Sequence, residues 1–480
     1  MSILVIDVGT SGVRAAVVRP DAAVVAEHRV EVLPSTPFPG LVEFDAVAMA
    51  EAALDVARRA LAEAGPVDAV GIANQRASTV VWERATGVPV GPGLGWQDLR
   101  TVTECLTFQA EGLRLAPNQS ATKAMKLLDD ADPARSRDLV VGTVDTWILW
   151  HLTEGRTHAT DISNAGVTGL LTADATGWDH AVLSALRIPE SALPALVDSS
   201  GPVAEATALP GSPMVCGIAG DQQASLIGQG CVAPGPAKIT FGTGGMLDLV
   251  VGPDRPAFPG RGPAGTFPIV AWRRGDELVW GLEGIMLSAG TNVEWLRDDL
   301  GIIATAAESH DVASACPDTE GVVYVPALLG LGTPQWDYGA RGALFGITRG
   351  TGRGHVVRAV LEGVAQRGTD LVEAAEADAG APIPTLRVDG GMSGNPTFVQ
   401  ALADASQRPV EVSPVLEATT LGAAFLAGLS VGTWGGWDDI AAAWQPRQVV
   451  EPGAALDRDR WAKAVDRARE WYPELSGLDF

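Results

Sequence analysis

The sequence predicts an α/β protein made of two large, duplicated domains facing each other across a cleft, and three observations carry that expectation. A chain of 480 residues is longer than one ordinary domain. With 46% hydrophobic and only 19% charged residues, it can bury two cores. The same device, an apolar strand that runs into a polar Gly/Thr turn and returns as a second strand, occurs at the start of the chain and again about halfway along it.

The first copy opens with Ile3-Leu4-Val5-Ile6, an uninterrupted apolar run of buried-strand type. Asp7-Val8-Gly9-Thr10-Ser11-Gly12 supplies the turn, and Val13-Arg14-Ala15-Ala16-Val17-Val18 returns. Residues 46–64 are alanine-rich with helical spacing, residues 69–73 read as a short buried strand, and residues 144–152 as a helix packed on that sheet. The second copy is Ala237-Lys238-Ile239-Thr240-Phe241, the turn Gly242-Thr243-Gly244-Gly245 and a return over 246–251. A long helix is expected over 356–377. Leu386-Arg387-Val388-Asp389 is again a strand ending in glycines, followed by a helix from about Pro396. The boundary falls within 221–236, giving an N-terminal domain of residues 1–225, a C-terminal domain of 226–437 and a tail of 438–480. The 56 glycines and 32 prolines lie between apolar runs, as turns and not as a low-complexity segment.

Charge narrows the function. The formal net charge is −24, and no Lys/Arg cluster offers the basic footprint that displaces counterions from nucleic-acid phosphates. A nucleic-acid partner is therefore not expected. An acidic chain is soluble, but a nucleotide site in it must rest on Mg²⁺, backbone N–H groups and single cations. Cys105, Cys216, Cys231 and Cys316 are far apart and form no C-x-x-C pair, as for reduced core thiols of a cytoplasmic protein. The six histidines show no ligand spacing, which argues against a structural zinc. The N-terminus lacks the features of a signal peptide, and no window approaches the roughly 18 apolar residues of a membrane span. A soluble cytoplasmic protein is expected, with a small-molecule partner and a homodimer as a compatible assembly.

Four segments carry candidate chemistry. Asp7 ends a buried strand, where a carboxylate can hold Mg²⁺ through water while the N–H groups and hydroxyls of Thr10 and Ser11 face phosphate oxygens. An ordinary Asp/Gly hairpin turn has the same composition. Phe241-Gly242-Thr243-Gly244 matches neither the dinucleotide fingerprint nor the P-loop. It mirrors the first turn, so two glycine-rich hairpins would clamp the terminal phosphates, the positioning on which phosphoryl transfer depends. Asp221, in Ile218-Ala219-Gly220-Asp221-Gln222-Gln223, sits between a strand and a helix, where it would take a proton from an attacking hydroxyl or merely cap the helix. Asp389-Gly390-Gly391-Met392-Ser393-Gly394-Asn395 lets a flat ligand approach bare backbone, or is a tight surface turn.

In this order the segments resemble the FGGY family of carbohydrate kinases, and within it the glycerol-kinase-like branch, from about Ile3 to Trp437. Asn74-Gln75-Arg76, Thr79-Val80-Val81-Trp82 and Trp96-Gln97-Asp98-x-Arg100-Thr101 look like the substrate-side segment. Gly142-Thr143-Val144-Asp145-Thr146-Trp147 and Thr160-Asp161-x-Ser163-Asn164-Ala165 follow in register. Gly342-x-Leu344-x-Gly346-Ile347 with His355-Val356-x-x-Ala359-Val360-Leu361-Glu362 fits the family's C-terminal signature.

The resemblance implies two duplicated actin-like domains, of the ribonuclease-H-like superfamily that includes hexokinase and Hsp70, with the acceptor and first phosphate turn in the N-terminal one and ATP in the C-terminal one. It also implies transfer of the ATP γ-phosphoryl group to a hydroxyl of a small polyol or sugar, with Mg²⁺. Carried over by motif, Asp221 is the base and, with Asp7, part of the metal environment. Thr10, Ser11, Arg14, Gly242, Thr243, Gly290, Gly391 and Asn395 contact the nucleotide, and Arg76, Trp96 and Gln222 the acceptor.

The departures gather in the acceptor pocket. Ala77 stands where glycerol kinases carry Glu, Asn118 where they carry Tyr and Met246 where they carry Phe. Lys126 replaces a signature Trp. Lost bulk and a lost carboxylate lead us to expect a C4–C5 polyol or ketose. The alternatives are a glycerol kinase proper and an actin-fold ATPase without a sugar acceptor. Stimulation of ATP turnover by a small polyol separates a kinase from the ATPase.

Overall fold

A computed structural model describes residues 1–258, 260–415 and 418–478. Two large mixed sheets organise it. The first runs in the spatial order Ser200–Glu205, Met214–Gly220, Ala69–Asn74, Ile3–Val8, Gly12–Val18, Val24–Glu31. The second runs Phe267–Arg274, Glu277–Met286, Gly245–Gly252, Ala237–Phe241, Leu386–Asp389, Val410–Val412, Gln448–Val450. In both, a central strand pairs antiparallel with its hairpin partner on one side and parallel with a later strand on the other. Both also end in an antiparallel edge strand beyond the parallel pair. The duplication is thus a repeat of strand order, the actin-like arrangement that the family resemblance implies.

The local reasons for these elements are those the sequence offers. All six residues of Ile3–Val8 are buried, so the run carries no polar alternation. Helix Ala46–Ala64 buries its small apolar stripe on the first sheet, and Asp45 caps it by accepting the Ala48 N–H at 3.0 Å. The long helix runs Arg353–Ala379, a little beyond its predicted ends, and packs on the second sheet with Pro396–Ser406.

A third core lies between the sheets. Helices Asp221–Gly228 and Ala418–Val431 share it with Ile3, Val5 and Cys216 of the first sheet and Val250, Ala271 and Trp272 of the second. Each helix therefore begins where strand ends of both halves meet, the place where open α/β sheets bind ligands. A small sheet of Glu43–Phe44, Gly93–Leu94, Thr79–Glu83 and Leu139–Thr143 carries the segment from Arg76 to Arg100. The chain after Trp437 is built into the C-terminal half: Gln448–Val450 is the sheet edge, and Trp461 of helix Arg458–Ala468 donates to the Asp370 carboxylate. Among the described residues no helix is long and apolar enough to cross a membrane.

Candidate active site

Strand Met214–Gly220 delivers Asp221 to the first residue of its helix; Gly220, not Asp221, is the capping residue. Asp221 Oδ1 accepts its neighbour's N–H from Gln222 at 2.8 Å and lies 3.3 Å from Arg76 Nε. Arg76 follows Ala69–Asn74, the strand beside Met214–Gly220, and its guanidinium continues to Glu283 Oε2 at 2.6 Å. A Cβ on residue 220 would come within 2.6 Å of the Arg76 side chain, so glycine there is what lets the guanidinium lie across the strand end. Loss of solvent raises the Asp221 pKa above the usual carboxylate range, although Arg76 and Lys238 oppose it. Burial would lower the Arg76 pKa, but Glu283, Asp221 and Asp248 together raise it, so the guanidinium stays charged.

Glu283, Lys238 and Asp248 were not singled out in the sequence, and they complete this cluster. Lys238 and Asp248 face each other across the second hairpin, and Asp248 faces Glu283 on the next strand. Lys238 Nζ reaches Asp248 Oδ2 at 2.6 Å, Gln222 Oε1 at 2.6 Å and Thr240 Oγ1 at 3.0 Å. Gln222 is thereby joined to the cluster. The available signal was a single charge inside each apolar strand, Ala237-Lys238-Ile239 and Leu247-Asp248-Leu249, a pattern that bulk burial does not produce.

The two glycine turns lie at the ends of matching strands. In the first, Thr10 is half-buried and Ser11 exposed, while Asp7 and Arg14 oppose each other in the hairpin register and so share a face. Asp7 Oδ2 accepts the Thr419 hydroxyl at 2.8 Å, a contact from the start of Ala418–Val431 that no local pattern announces. In the second, Gly242 and Thr243 are exposed, and their carbonyls accept Gly290 N and Ala289 N, each at 2.8 Å. Gly290 has no room for a side chain, since a Cβ would sit 2.6 Å from Gly242 O. Asp389 ends its strand buried, accepting Ser225 Oγ at 3.2 Å and the Ala418 N–H at 3.3 Å. Gly391 is exposed, and Asn395 caps Pro396–Ser406 through Phe398 N while donating to Ser309 Oγ at 2.9 Å.

In the segment from Arg76 to Arg100, Trp96 donates its indole N–H to Thr10 Oγ1 at 3.1 Å and its backbone N–H to Ser78 Oγ at 3.0 Å. Ala77 is buried, with a left-handed φ of 59°, and its carbonyl accepts Ser120 Oγ at 3.1 Å. Met246 is half-buried beside the second turn, whereas Asn118 lies in an exposed turn before helix Ser120–Ala131, outside the hydrogen-bonded cluster. Lys126 is paired on the surface with Asp130. Lys123, one turn earlier, is fully buried and donates to Gln119 O at 3.0 Å and Trp96 O at 3.5 Å. Burial lowers its pKa to about 7.

The chain has counterparts among known proteins. The N-terminal domain model of the FGGY family of carbohydrate kinases matches residues 2–228, and its C-terminal domain model matches residues 237–431. A protein named glycerol kinase from Aromatoleum aromaticum is 42% identical over 98% of this chain and 99% of its own. Another of that name from Trichlorobacter lovleyi is 43% identical with the same coverage. Among solved structures, Plasmodium falciparum glycerol kinase with ADP superposes with a TM-score of 0.89 at 28% identity, covering 97% of this chain and 98% of that one. A xylulose kinase from Brucella ovis gives a TM-score of 0.85 at 26% identity, covering all of both chains.

Proposed function

Because the chain belongs to the FGGY family of carbohydrate kinases, phosphotransferases that act on alcohol acceptors with ATP and Mg²⁺, we propose that it phosphorylates glycerol, with Asp221 as the base. One observation carries the choice of acceptor. Position 77 has lost its carboxylate, yet Glu283 brings one to 2.6 Å from Arg76, so the Arg76 site keeps two acidic partners beside it. Hydroxyl groups of a short triol need such acceptors, and a buried site equipped with them discriminates strongly against molecules that leave them unpaired. The names of the full-length relatives support the same acceptor. The C4–C5 polyol or ketose expected from Ala77, Asn118 and Met246 is thereby displaced as the leading reading. Asn118 is exposed, and Glu283 from the C-terminal half sets a carboxylate against Arg76, which supports the smaller acceptor.

In the proposed reaction Arg76, Trp96 and Gln222 hold the acceptor, and Asp221 takes the proton of the attacking hydroxyl. A carboxylate whose pKa is raised by lost solvent is a stronger base than an exposed one, which suits that task. The N–H groups and hydroxyls of the two turns, at Thr10, Ser11, Gly242 and Thr243, face the phosphates, with Arg14 beside the first turn. Gly290, Gly391 and Asn395 border the rest of the nucleotide. Mg²⁺ fits the donor set: Asp7 and Asp221, carried by the strands on either side of Ala69–Asn74, offer hard carboxylate oxygens and would hold it together with waters and phosphates. When bound it offsets the phosphate charge.

A coupled ADP-release assay over C3 to C6 polyols and ketoses tests the acceptor. The highest kcat/KM is expected for glycerol, and Glu283→Gln should raise the KM for glycerol while leaving the KM for ATP within about twofold. A higher kcat/KM for any C4–C6 compound would return the assignment to a larger acceptor.

A further inference from the structure

The segment Thr160-Asp161-Ile162-Ser163-Asn164 has no role in the reaction as set out above, yet its side chains are buried and fully engaged. Asp161 accepts five hydrogen bonds. Oδ1 receives Asn164 N at 3.0 Å, Asn164 Nδ2 at 2.8 Å and Ser163 Oγ at 3.0 Å. Oδ2 receives Ser163 N at 2.9 Å and Ser199 Oγ at 2.7 Å. A carboxylate needs no such array to cap the five-residue helix Ile162–Gly166; one or two backbone donors suffice.

Each of these donors leads to a different element of the site. Ser163 Oγ accepts the N–H of Gly220 at 3.1 Å, the residue immediately before Asp221. Asn164 and Asn74 exchange a reciprocal amide pair at 2.9 and 3.0 Å, and Asn74 ends the strand that leads through Gln75 to Arg76. Ser199 continues to the other half of the molecule. Its Oγ accepts Arg273 N at 3.2 Å and its N–H donates to Arg273 O at 2.9 Å, while neighbouring Asp198 takes Arg273 Nε at 2.6 Å and Gly275 N at 2.7 Å. Arg273 lies on Phe267–Arg274, the strand paired with Glu277–Met286, and Phe267 of that strand stands opposite Glu283.

We propose that Asp161 is a positioning residue: through Ser163, Asn164 and Ser199 it fixes the backbone that bears Asp221, the strand end that bears Arg76 and the C-terminal hairpin that bears Glu283, and so sets the geometry of the three. The proposal rests on the reading of Asp221 as the base. A buried carboxylate with five donors is rigid, because any shift leaves a buried polar group unpaired. That rigidity converts domain contact at Arg273 into placement of the base. Displacing a reacting group by about 1 Å costs on the order of 10²-fold in rate, so the effect belongs in kcat and not in nucleotide affinity.

Ser163→Ala removes the acceptor of Gly220 N and leaves Asp161 four donors, two of them backbone N–H groups. Its kcat, measured on protein shown to be folded by its melting transition, should fall roughly 10- to 100-fold with the KM for ATP within about twofold. Ser199→Ala, which cuts the link to Arg273 but spares Gly220, should lower kcat by less. Asp161→Asn is a third arm, and if it does not fold the two serine variants still decide. Wild-type kcat in Ser163→Ala, with Asp221→Asn inactive, would overturn the positioning role and leave the base in place. An active Asp221→Asn would overturn both.

Discussion

In the N-terminal half, the turn after Ile3–Val8 adds a ring of side-chain bonds to its backbone bonds, among them Gly9 N to Gly12 O and Val32 N to Ser11 O. Gln75 Nε2 donates to Gly9 O at 3.2 Å, Ser78 Oγ donates to Gln75 Oε1 at 3.0 Å, and Trp96 closes the ring on Ser78 Oγ and Thr10 Oγ1. In the C-terminal half, the matching turn after Ala237–Phe241 is held by backbone, through Gly242 O to Gly290 N and Thr243 O to Ala289 N. Two copies of one hairpin have thus taken different supports. The first is tied through Trp96 to the segment proposed to hold the acceptor, which makes Thr10 the position where the two proposed sites would be coupled. The second leaves Thr243 exposed, and its neighbours are the start of the segment Gly290–Thr291.

The largest effect is expected at the seam between the two turns. Asp221→Asn should lower kcat by ~10²–10⁴-fold while isothermal titration shows ADP binding within a few-fold of wild type. Near-normal turnover would reduce Asp221 to a structural residue at the helix start. Next is Gly290→Ala. Its Cβ meets Gly242 O at 2.6 Å, and overpacking of that kind costs about 1–3 kcal/mol. The KM for ATP should therefore rise about 10- to 100-fold with the acceptor KM unchanged; a change in acceptor KM would break the separation between the turns.

A smaller pair sharpens the comparison directly. Thr243→Val should raise the KM for ATP a few-fold with every acceptor alike, whereas Thr10→Val should raise the KM for ATP and for the acceptor together, because it removes the partner of the Trp96 indole. Equal behaviour of the two valine variants in steady-state kinetics would show that Trp96 does not link acceptor and phosphate sides.

Proton linkage gives the smallest effects. Since burial raises the Asp221 pKa, kcat/KM should fall on the acid side at a pH above the ordinary carboxylate range, as the base becomes protonated, and the Glu283→Gln variant should shift that limb downward because one like charge is gone. Lys123 acts on stability. Its pKa is lowered from 10.5 to about 7, so between those values the unfolded chain binds a proton that the folded chain does not. Stability should therefore rise with pH across that window, by at most about 1.4 kcal/mol per pH unit, and fall as pH drops toward 7. Urea unfolding of Lys123→Met should lose that slope; an unchanged slope would mean that the buried amine does not titrate there.

Read from sequence alone, the apolar runs at 3–6 and 237–241, their Gly/Thr turns and the alanine stripe of 46–64 determined the strands, hairpins and helix that the structure contains, because periodicity and turn chemistry act over a few residues. The same local signals placed Asp7, Asp221 and Thr243 at strand ends. Glu283, Thr419 and Asp161 were decided only by the tertiary structure. Glu283 meets Arg76 because the two halves close on each other, Thr419 meets Asp7 because Ala418–Val431 packs between the sheets, and Asp161 gathers donors from Ser163, Asn164 and Ser199. Ala77 shows the limit from the other side: the absence of a carboxylate there was legible, but the Glu283 carboxylate beside Arg76 comes from a distant strand. A sequence states which charges a chain holds, and only the packed sheets decide which of them are buried together, where desolvation makes each partner obligatory.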